Sequence, residues 1–407
     1  MASQKDKIYI SITAILMLLA YSCHTYRMLA SQNLFEYAGA DFLAFTSAAS
    51  VLKKSDIKSI YNLRTLKIEQ DALLKNYKLE EQFARRVLPL FYPPLIFALF
   101  LPFTFYSLSL GFIIWLLTGA ILIFWLTVIV CKYLAIKSYI RTSLLFLFSV
   151  PVLENFYYGN INLLLLATLA LCIYSFIEKR AFMFGLSIGF FSFKATAGVF
   201  FSPLLFLFFS TGTLAGFVSG LVILWLPFLL NISEQSLNQL LFYIPRMRDL
   251  EHAFTYGTWP LTQVNIHGAI LNAGYAINFY LNAIIAAFGT AFVGIIIFLV
   301  KNRSDTEKIL TSCAAASLAF PLFSPHAHIH ACALIYFLLI HLSKRNILPH
   351  SVSLAALILP SVFLAFSLLW TGETFSHLYF SLLIRAILIA LFLILIVKCL
   401  LNKRKNS

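Results

Sequence analysis

The sequence predicts an all-α polytopic membrane protein, and hydropathy, charge content and the spacing of apolar runs support this fold class. The 407 residues are 61% hydrophobic and only 11% charged, and their mean hydropathy is +0.88. Soluble domains carry about 25% charged residues, so this composition excludes a soluble enzyme or binding module. Apolar runs near the ~20 residues that cross a bilayer recur throughout. We expect one integral membrane domain over residues 1–407.

Twelve transmembrane helices are predicted. Eight apolar stretches are candidate spans, namely 8–30, 109–131, 142–158, 161–177, 211–230, 279–300, 350–369 and 379–400. Two longer stretches, 181–210 and 309–343, are each predicted to form a hairpin of two spans, divided at Lys194 and at the segment SPHAHIH. The run 88–108 contains four prolines. Because proline interrupts helices, we expect this run to enter the outer leaflet without crossing it.

Positive charge sets the predicted orientation. With both termini inside, fifteen basic residues fall on short inside segments and none on the short outside turns. Lys and Arg collect on cytoplasmic loops, which accounts for the net charge of +14 without a nucleic-acid partner. Two outward-facing loops result, 31–108 with juxtamembrane helices and 231–278. In the second, SEQSLNQLLFYI has helical apolar spacing behind Ser233, which predicts an amphipathic surface helix.

Histidine and cysteine are the candidate metal ligands. His326, His328 and His330 lie between two apolar stretches, where they could bind a metal, hold a phosphate or mark the membrane surface. No nearby cysteine or carboxylate completes a zinc site around them. The six cysteines lie in or beside apolar stretches and lack the spacing of a metal site or a disulfide framework. We predict no metal and no cofactor.

In the predicted topology, the unusual polar residues gather on the outer side. They are Asp41, Arg85, Arg86, Tyr92, Asn160, Asn162, Lys194, Asn265, His267 and the three histidines. An ionisable residue at membrane depth, such as Lys194, is usually functional. The alternatives are a snorkelling lysine, a helix cap at Asp41 and interfacial histidines. We expect an outward-facing site at the membrane surface.

These residue types suit a reaction that releases a phosphate. A carboxylate can take the proton of an attacking hydroxyl, and fixed cations can neutralise a leaving phosphate. The sequence has no GxxxxGK[ST] and no Rossmann glycine pattern, which argues against a nucleotide substrate. A lipid-linked sugar is the donor that reaches an outward site beside the bilayer without a nucleotide.

Five motifs carry a resemblance to a known family. GADFLAFTSAASVL, FYPPL, GNINLLLL, FSFKATAGVFFSPLLFL and FSPHAHIHACALI follow one another as in glycosyltransferase family 87, which the chain resembles over about residues 8–345. The resemblance implies a GT-C-type fold and an activity like that of polyprenyl-phosphate-mannose-dependent mannosyltransferases. The implied reaction is an inverting transfer of a mannose-like hexose or a pentose to an envelope lipid or glycan. The implied location is the outer side of a bacterial cytoplasmic (inner) membrane.

The resemblance also implies roles for individual residues. Asp41 matches the position of the general base, while Lys194 and His326 match positions near the donor phosphate. The candidate substrate contacts are Arg85, Arg86, Tyr92, Asn160, Asn162, Asn265, His267 and His328.

The chain also departs from the family pattern. Phe45 stands where Tyr is common, Asn160 replaces the usual Gln, and Ala195 replaces the Pro that usually follows the lysine. Ala327, His328 and His330 occupy a stretch that often holds acidic or Tyr residues. These changes spare the predicted base and phosphate ligands, and bear instead on the identity of the sugar and the acceptor.

Other functional classes remain open at this point. A transporter or a lipid-linked glycan flippase would also use many spans and a buried lysine, although transporters bind near the bilayer midplane rather than at one surface. A non-catalytic subunit of an envelope complex is a further alternative. Among enzymes, an O-antigen-type polymerase would instead use pyrophosphate-linked oligosaccharides.

Overall fold

The computed structural model is almost entirely helical. It describes residues 18, 22, 35, 38–54, 57–77, 86–88, 90, 92–133, 143–144, 146–231, 263–275, 277–344, 348–370 and 373–405. Within these ranges the extended pairing is one antiparallel bridge, between Gln263 and His328. The all-α prediction is therefore confirmed for this part of the chain. The amphipathic helix behind Ser233 lies outside it, as does the first predicted span apart from residues 18 and 22.

The α-helices are numbered in chain order. They are α1 Ala40–Lys54, α2 Leu63–Leu74, α3 Pro94–Ala98, α4 Leu108–Tyr133, α5 Val150–Tyr158, α6 Asn162–Ile177, α7 Ala181–Phe190, α8 Ala195–Phe201, α9 Thr211–Asn231, α10 Ile266–Asn272, α11 Phe279–Val300, α12 Asp305–Phe323, α13 Ala333–Lys344, α14 His350–Trp370 and α15 Glu373–Lys405. Short 3-10 helices lie between some of them, at Ile57–Tyr61, Leu101–Phe105, Phe191–Phe193, Ser202–Phe208 and Ile329–Cys332.

Among the described residues, four helical segments are long and apolar enough to cross a membrane. They are Leu108–Cys131, Thr211–Asn231, Tyr280–Val300 and Tyr379–Leu401. In α4 the exposed apolar side chains recur every four residues, at Ile113, Leu117, Ile121, Trp125 and Ile129. This spacing forms one face of a helix, and we assign that face to lipid. The count of twelve spans stays a prediction.

Both long apolar stretches are interrupted where polar residues interrupt the sequence. The first divides at Lys194, which separates the 3-10 turn after α7 from α8. The second divides after Phe323, the last residue of α12, and helix resumes with the short 3-10 turn before α13. Ser324 is extended, with φ −71° and ψ 150°, because a residue before proline is disfavoured in the helical region.

Helix α12 lies at the centre of the described structure. Its residues from Ile309 to Phe323 are all buried, and it packs against α6, α8, α11, α13 and α15. The middle of the helix reads SCAAAS. Small side chains of this kind let neighbouring helices approach closely in a membrane. As a result, α12 supports α6, α8 and the 3-10 turn Ile329–Cys332, which carry or adjoin Asn162, Lys194 and the three histidines.

Helices α7 and α9 pack through paired glycines. Each contains a GxxxG motif, Gly185–Gly189 in α7 and Gly216–Gly220 in α9. A Cβ added at Gly185 would lie 1.9 Å from the carbonyl oxygen of Thr213, and one at Gly216 would lie 2.0 Å from that of Phe182. The two backbones are therefore in direct contact, a packing mode common between membrane helices.

The first outer loop differs from the expected surface arrangement. Helix α1 is buried on nearly every side and packs against α2, α3 and α5. Its sequence explains this, since Phe42, Phe45, Ala48 and Ala49 leave it no continuous polar face. Helix α2 is more exposed and begins at Asn62, whose side chain caps the Thr65 amide. The first loop thus inserts one helix into the body of the protein.

Candidate active site

Asp41 lies in the first turn of α1, beside the C-terminal end of α5. The Gly39 amide donates to the Tyr157 carbonyl over 2.7 Å, which ties the two ends together. Helix α5 ends at Gly159 in the left-handed conformation, with φ +70°. A Cβ at Gly159 would lie 2.6 Å from the Phe42 Cβ, so only glycine allows this approach. The next residue, Asn160, is thereby brought to Asp41.

Asn160 links Asp41 to His330. Its Nδ2 donates to Asp41 Oδ2 over 2.6 Å and lies 3.4 Å from His330 Nε2. Its Oδ1 accepts from the Asn162 amide over 2.8 Å, which fixes the orientation of the Asn160 side chain. Because an amide nitrogen only donates, the contact with His330 requires the tautomer whose proton is on Nδ1. Within the described structure, that Nδ1 has no hydrogen-bond partner.

Lys194 contacts the second of these two asparagines. It lies in extended conformation just before α8, and its Nζ donates to Asn162 Oδ1 over 2.8 Å. The same Nζ lies 5.4 Å from the centre of the Phe320 ring in α12, a favourable cation–π distance. Asp41 and Lys194 are therefore each bonded to one of two neighbouring amide side chains, and their charges interact.

The three histidines lie next to this centre. The ring centres of His326 and His328 are 4.6 Å apart, and those of His328 and His330 are 5.6 Å apart. Lys194 acts electrostatically on both His326 and His330. The Asn155 side chain donates to the His330 carbonyl over 2.9 Å, and the Ser324 hydroxyl donates to the His326 carbonyl, also over 2.9 Å. The two predicted hairpin turns thus lie together.

Exposure divides the site into two groups. Asp41, Lys194, His326 and His328 are partly exposed. The supporting side chains of Asn160, Asn162 and His330 are buried, with 5%, 1% and 7% of their surface exposed. The ionisable groups are therefore accessible to a ligand, while the polar groups that hold them in place are not.

The electrostatic environment of Asp41 is mixed. Burial raises the pKa of the Asp41 carboxyl group above its ordinary value, because burial disfavours the charged form. The hydrogen bond from Asn160, the charge of Lys194 and the charge of Arg86 act in the opposite direction. Burial is the largest of these effects, so the structure favours a carboxylate that takes up a proton more readily than an ordinary aspartate.

The other candidate substrate contacts lie at various distances from Asp41. Arg86 and Tyr92 are within electrostatic range of Asp41. The Arg86 guanidinium also donates to the Phe35 carbonyl over 3.3 Å, and the Tyr92 ring packs on Phe45 with centres 5.1 Å apart. Arg85 lies outside the described residues.

Asn265 and His267 belong to a supporting layer. Asn265 caps α10 by accepting from the Gly268 amide over 2.7 Å, and its Nδ2 donates to the Ser324 carbonyl over 2.9 Å. His267 is buried within α10. The side chain of Asn265 therefore braces the backbone of residues 324–330, here called the histidine turn.

The structure connects three further residues to the site, of which sequence reasoning singled out only His330. His330 contacts Asn160, Asn155 bonds the backbone of His330, and Arg385 donates to the Gln263 carbonyl. An arginine inside an apolar run is an available signal for Arg385. Sequence marked His330 only as one of three histidines, and it gives no comparable signal for Asn155, whose importance depends on tertiary contacts.

Among the described side chains, no group of three His, Cys, Asp or Glu residues could hold a metal ion. The apolar helices together with this accessible polar centre define an integral membrane protein with an enzyme-like site. The family model for glycosyltransferase family 87 matches residues 90–325, more than half of the chain, and the chain belongs to this family. It is accordingly a membrane glycosyltransferase, which acts on a sugar donor and an acceptor.

The family match covers only part of the polar centre. It includes Asn160, Asn162 and Lys194, but begins after Asp41 and ends one residue before His326. Neither a search of curated proteins nor a search of solved structures finds a match to the chain. Membership in a transferase family favours catalysis over the transporter and flippase alternatives.

Proposed function

We propose that the chain transfers a mannose-like hexose or a pentose from a polyprenyl-phosphate donor to a hydroxyl of an envelope lipid or glycan. The reaction inverts the anomeric centre and takes place at the outer side of the bacterial cytoplasmic membrane. The observation that carries the proposal is that Asp41 bonds Asn160 while Lys194 bonds the neighbouring Asn162. One accessible group can accept a proton, and the other can stabilise a departing anion.

Asp41 is the general base in this proposal. The acceptor hydroxyl oxygen attacks the anomeric carbon while its proton passes to the Asp41 carboxylate. The bond between the anomeric carbon and the phosphate oxygen breaks, and its electron pair leaves with polyprenyl phosphate. The raised pKa of Asp41 strengthens it as a base. The Asn160 hydrogen bond holds one of the two carboxylate oxygens in place.

Lys194 and His326 stabilise the leaving phosphate. Both are partly exposed, and Lys194 acts electrostatically on His326. A phosphate between them would receive a charge-assisted hydrogen bond from the ammonium and a second one from the imidazole. His328 lies on the same turn and is partly exposed, so it is the candidate contact for sugar or acceptor hydroxyls. Arg86 and Tyr92 extend the site on the Asp41 side.

The outward orientation rests on the distribution of charge. Basic residues gather on the short segments assigned to the inside, including Lys179 and Arg180 at the turn before α7. Helix α7 leads away from that turn toward Lys194 and the polar centre. The polar centre and the basic turn therefore lie at opposite ends of α7, and the positive-inside rule supports an outer location for the centre.

A panel of donors tests the proposal. Purified protein is incubated with polyprenyl-phosphate hexoses, polyprenyl-phosphate pentoses, nucleotide sugars and pyrophosphate-linked oligosaccharides, and released polyprenyl phosphate is measured by mass spectrometry. We expect release from one or more of the monophosphate donors, and the same rate after exhaustive chelation. Turnover of pyrophosphate-linked oligosaccharides alone would indicate a polymerase, and lipid movement without cleavage would indicate a flippase.

A further inference from the structure

Arg385 is a buried arginine inside a membrane span. The proposed reaction assigns no role to this residue. It lies in α15 within the span Tyr379–Leu401 and exposes only 8% of its surface. Charged side chains inside a span are costly and usually functional. The residue also lies beyond the family match, which ends at residue 325. Its role must therefore be inferred from its contacts in this chain.

The Arg385 contact leads directly to the histidine turn. Its Nη2 donates to the Gln263 carbonyl over 3.0 Å, and Gln263 forms the antiparallel bridge with His328. The neighbouring Val264 amide donates to the Ala327 carbonyl over 2.9 Å. Residues 263–265, here called the return segment, thus run alongside the histidine turn.

The same segment is anchored at its far end. Asn265 donates to the Ser324 carbonyl over 2.9 Å, and the Ser324 hydroxyl in turn donates to the His326 carbonyl. The histidine turn is therefore held by the return segment at Ser324, Ala327 and His328. Arg385 is the charged group that fixes the first residue of that segment to the transmembrane body.

We propose that Arg385 is a positioning residue, which clamps the return segment against the histidine turn and so orients His326 toward the donor. It does not touch the donor itself. The inference rests on the proposed function for its catalytic consequence, but its structural part stands on these contacts alone. The clamp joins the last described helix to a site whose other parts come from α1, α5, α6 and α8.

Arg385→Met tests the clamp, because it removes the hydrogen-bond donor and keeps the length of the side chain. Losing a charge from a membrane span also favours insertion. We expect kcat/KM for the donor to fall about 100-fold, the effect of a misplacement of about 1 Å in a catalytic group. Arg385→Lys keeps a donor near the carbonyl and should retain more activity than the Met variant. Lys398→Gln, which removes a charge from the same helix, serves as the matched control.

A second measurement needs no substrate. In a cysteine-free background, Gln263→Cys with His328→Cys places thiols at the bridged pair, whose spacing suits a disulfide. Oxidation should form the disulfide readily when residue 385 is Arg and more slowly when it is Met. The crosslinking rate tests the Arg385 clamp separately from the proposed glycosyl transfer, because it can be measured even if no polyprenyl-phosphate sugar is a substrate.

Three outcomes would overturn the inference. They are a Met variant with wild-type kcat/KM, a Met variant with an unchanged crosslinking rate, and a Lys variant as impaired as the Met variant. If the Met variant does not accumulate in the membrane, Arg385→Gln decides the question, because its shorter amide cannot reach the Gln263 carbonyl. The same loss is expected there, and wild-type activity would overturn the proposal.

Discussion

Asp41 and Asp305 both lie in the first turn of a helix and both interact with lysines, yet their surroundings differ. Asp305, in the first turn of α12, forms ion pairs with Lys179 and with Lys308, the latter at 3.2 Å. Asp41, in the first turn of α1, accepts a hydrogen bond from Asn160, while Lys194 donates to Asn162. The first arrangement neutralises its charges directly, and the second holds them apart on buried amides.

The pKa values of the two carboxyl groups move in opposite directions for this reason. The hydrogen bonds from Lys179 and Lys308 lower the pKa of the exposed Asp305. Burial raises the pKa of Asp41, despite the bond from Asn160 and the charge of Lys194. The charge of Asp305 is already neutralised by two lysines, so it would interact only weakly with a ligand. Asp41 and Lys194 bond neutral amides, so their charges can still interact with a substrate. The comparison therefore separates a structural ion pair from a candidate catalytic pair.

Substituting Lys194 and Lys179 separately should give the largest difference between the two sites. Lys194→Ala is expected to lower kcat/KM for the donor by about 10²–10³-fold, the usual effect of losing one fixed donor to a developing anion. Lys179→Ala, at the ion pair with Asp305, should leave kcat/KM unchanged. Steady-state kinetics on both variants check this. Equal effects of the two substitutions would remove the distinction between the two lysines.

Changing the amide that holds Asp41 should have a smaller effect. Asn160→Ala removes the 2.6 Å bond to the carboxylate, and we expect kcat/KM to fall about tenfold, equivalent to about 1.4 kcal/mol and near the range for a hydrogen bond to a charged group. Asn160→Gln keeps the amide and restores the residue usual in the family, so it should retain most activity. The kinetics of the two variants, compared side by side, provide the measurement. A Gln variant no better than Ala would argue against the hydrogen bond as the cause.

The dependence of kcat/KM on pH sharpens the same point. A general base works as the anion, so activity should fall as pH decreases through the pKa of Asp41. Since burial raises that pKa, the acid limb should lie above the ordinary aspartate value of 3.8. In the wild type, the hydrogen bond from Asn160 lowers the pKa of Asp41. Asn160→Ala removes this bond, so the acid limb of that variant should move to still higher pH. A profile that is flat down to pH 4 would contradict the assignment.

The smallest effect is expected at Asp305. The pKa of this carboxyl group is lowered, so its ion pairs stabilise the fold above the unfolded pKa and are lost as pH falls through the folded value. Asp305→Asn should slightly lower thermal stability, since exposed ion pairs contribute little, and should leave kcat/KM unchanged. Thermal unfolding and donor turnover measured on one preparation test both parts. A large loss of turnover would show that Asp305 also serves the reaction.

Parts of this arrangement could be predicted from the sequence. The break at Ser324 follows from Pro325, and the break at Lys194 follows from a charge in the middle of an apolar stretch. Both rest on local rules that apply within a few residues. The family resemblance likewise implied that Asp41, Lys194 and His326 belong to one site. In the structure Asp41 bonds Asn160, Lys194 bonds Asn162, and Lys194 acts electrostatically on His326.

Other parts depend on packing between distant elements. The burial of α1 follows from its fit against α2, α3 and α5, although the missing polar face on GADFLAFTSAASVL was a usable hint. His330 could not be separated from His328 by sequence, because its role depends on the position of Asn160, 170 residues away. The connection from Arg385 to Gln263 spans 122 residues and has no local signature beyond the charge itself.

The central claim is that Asp41 takes the proton of the acceptor, and Asp41→Asn tests it most directly. The variant should keep its fold and at least the wild-type melting temperature, because burying an ionised carboxylate with a raised pKa disfavours folding. It should bind polyprenyl phosphate with wild-type affinity. Release of polyprenyl phosphate from the sugar donor should be about 10²–10⁴-fold slower, while Asp305→Asn turns over at the wild-type rate. Wild-type turnover by a folded Asp41→Asn would contradict the account.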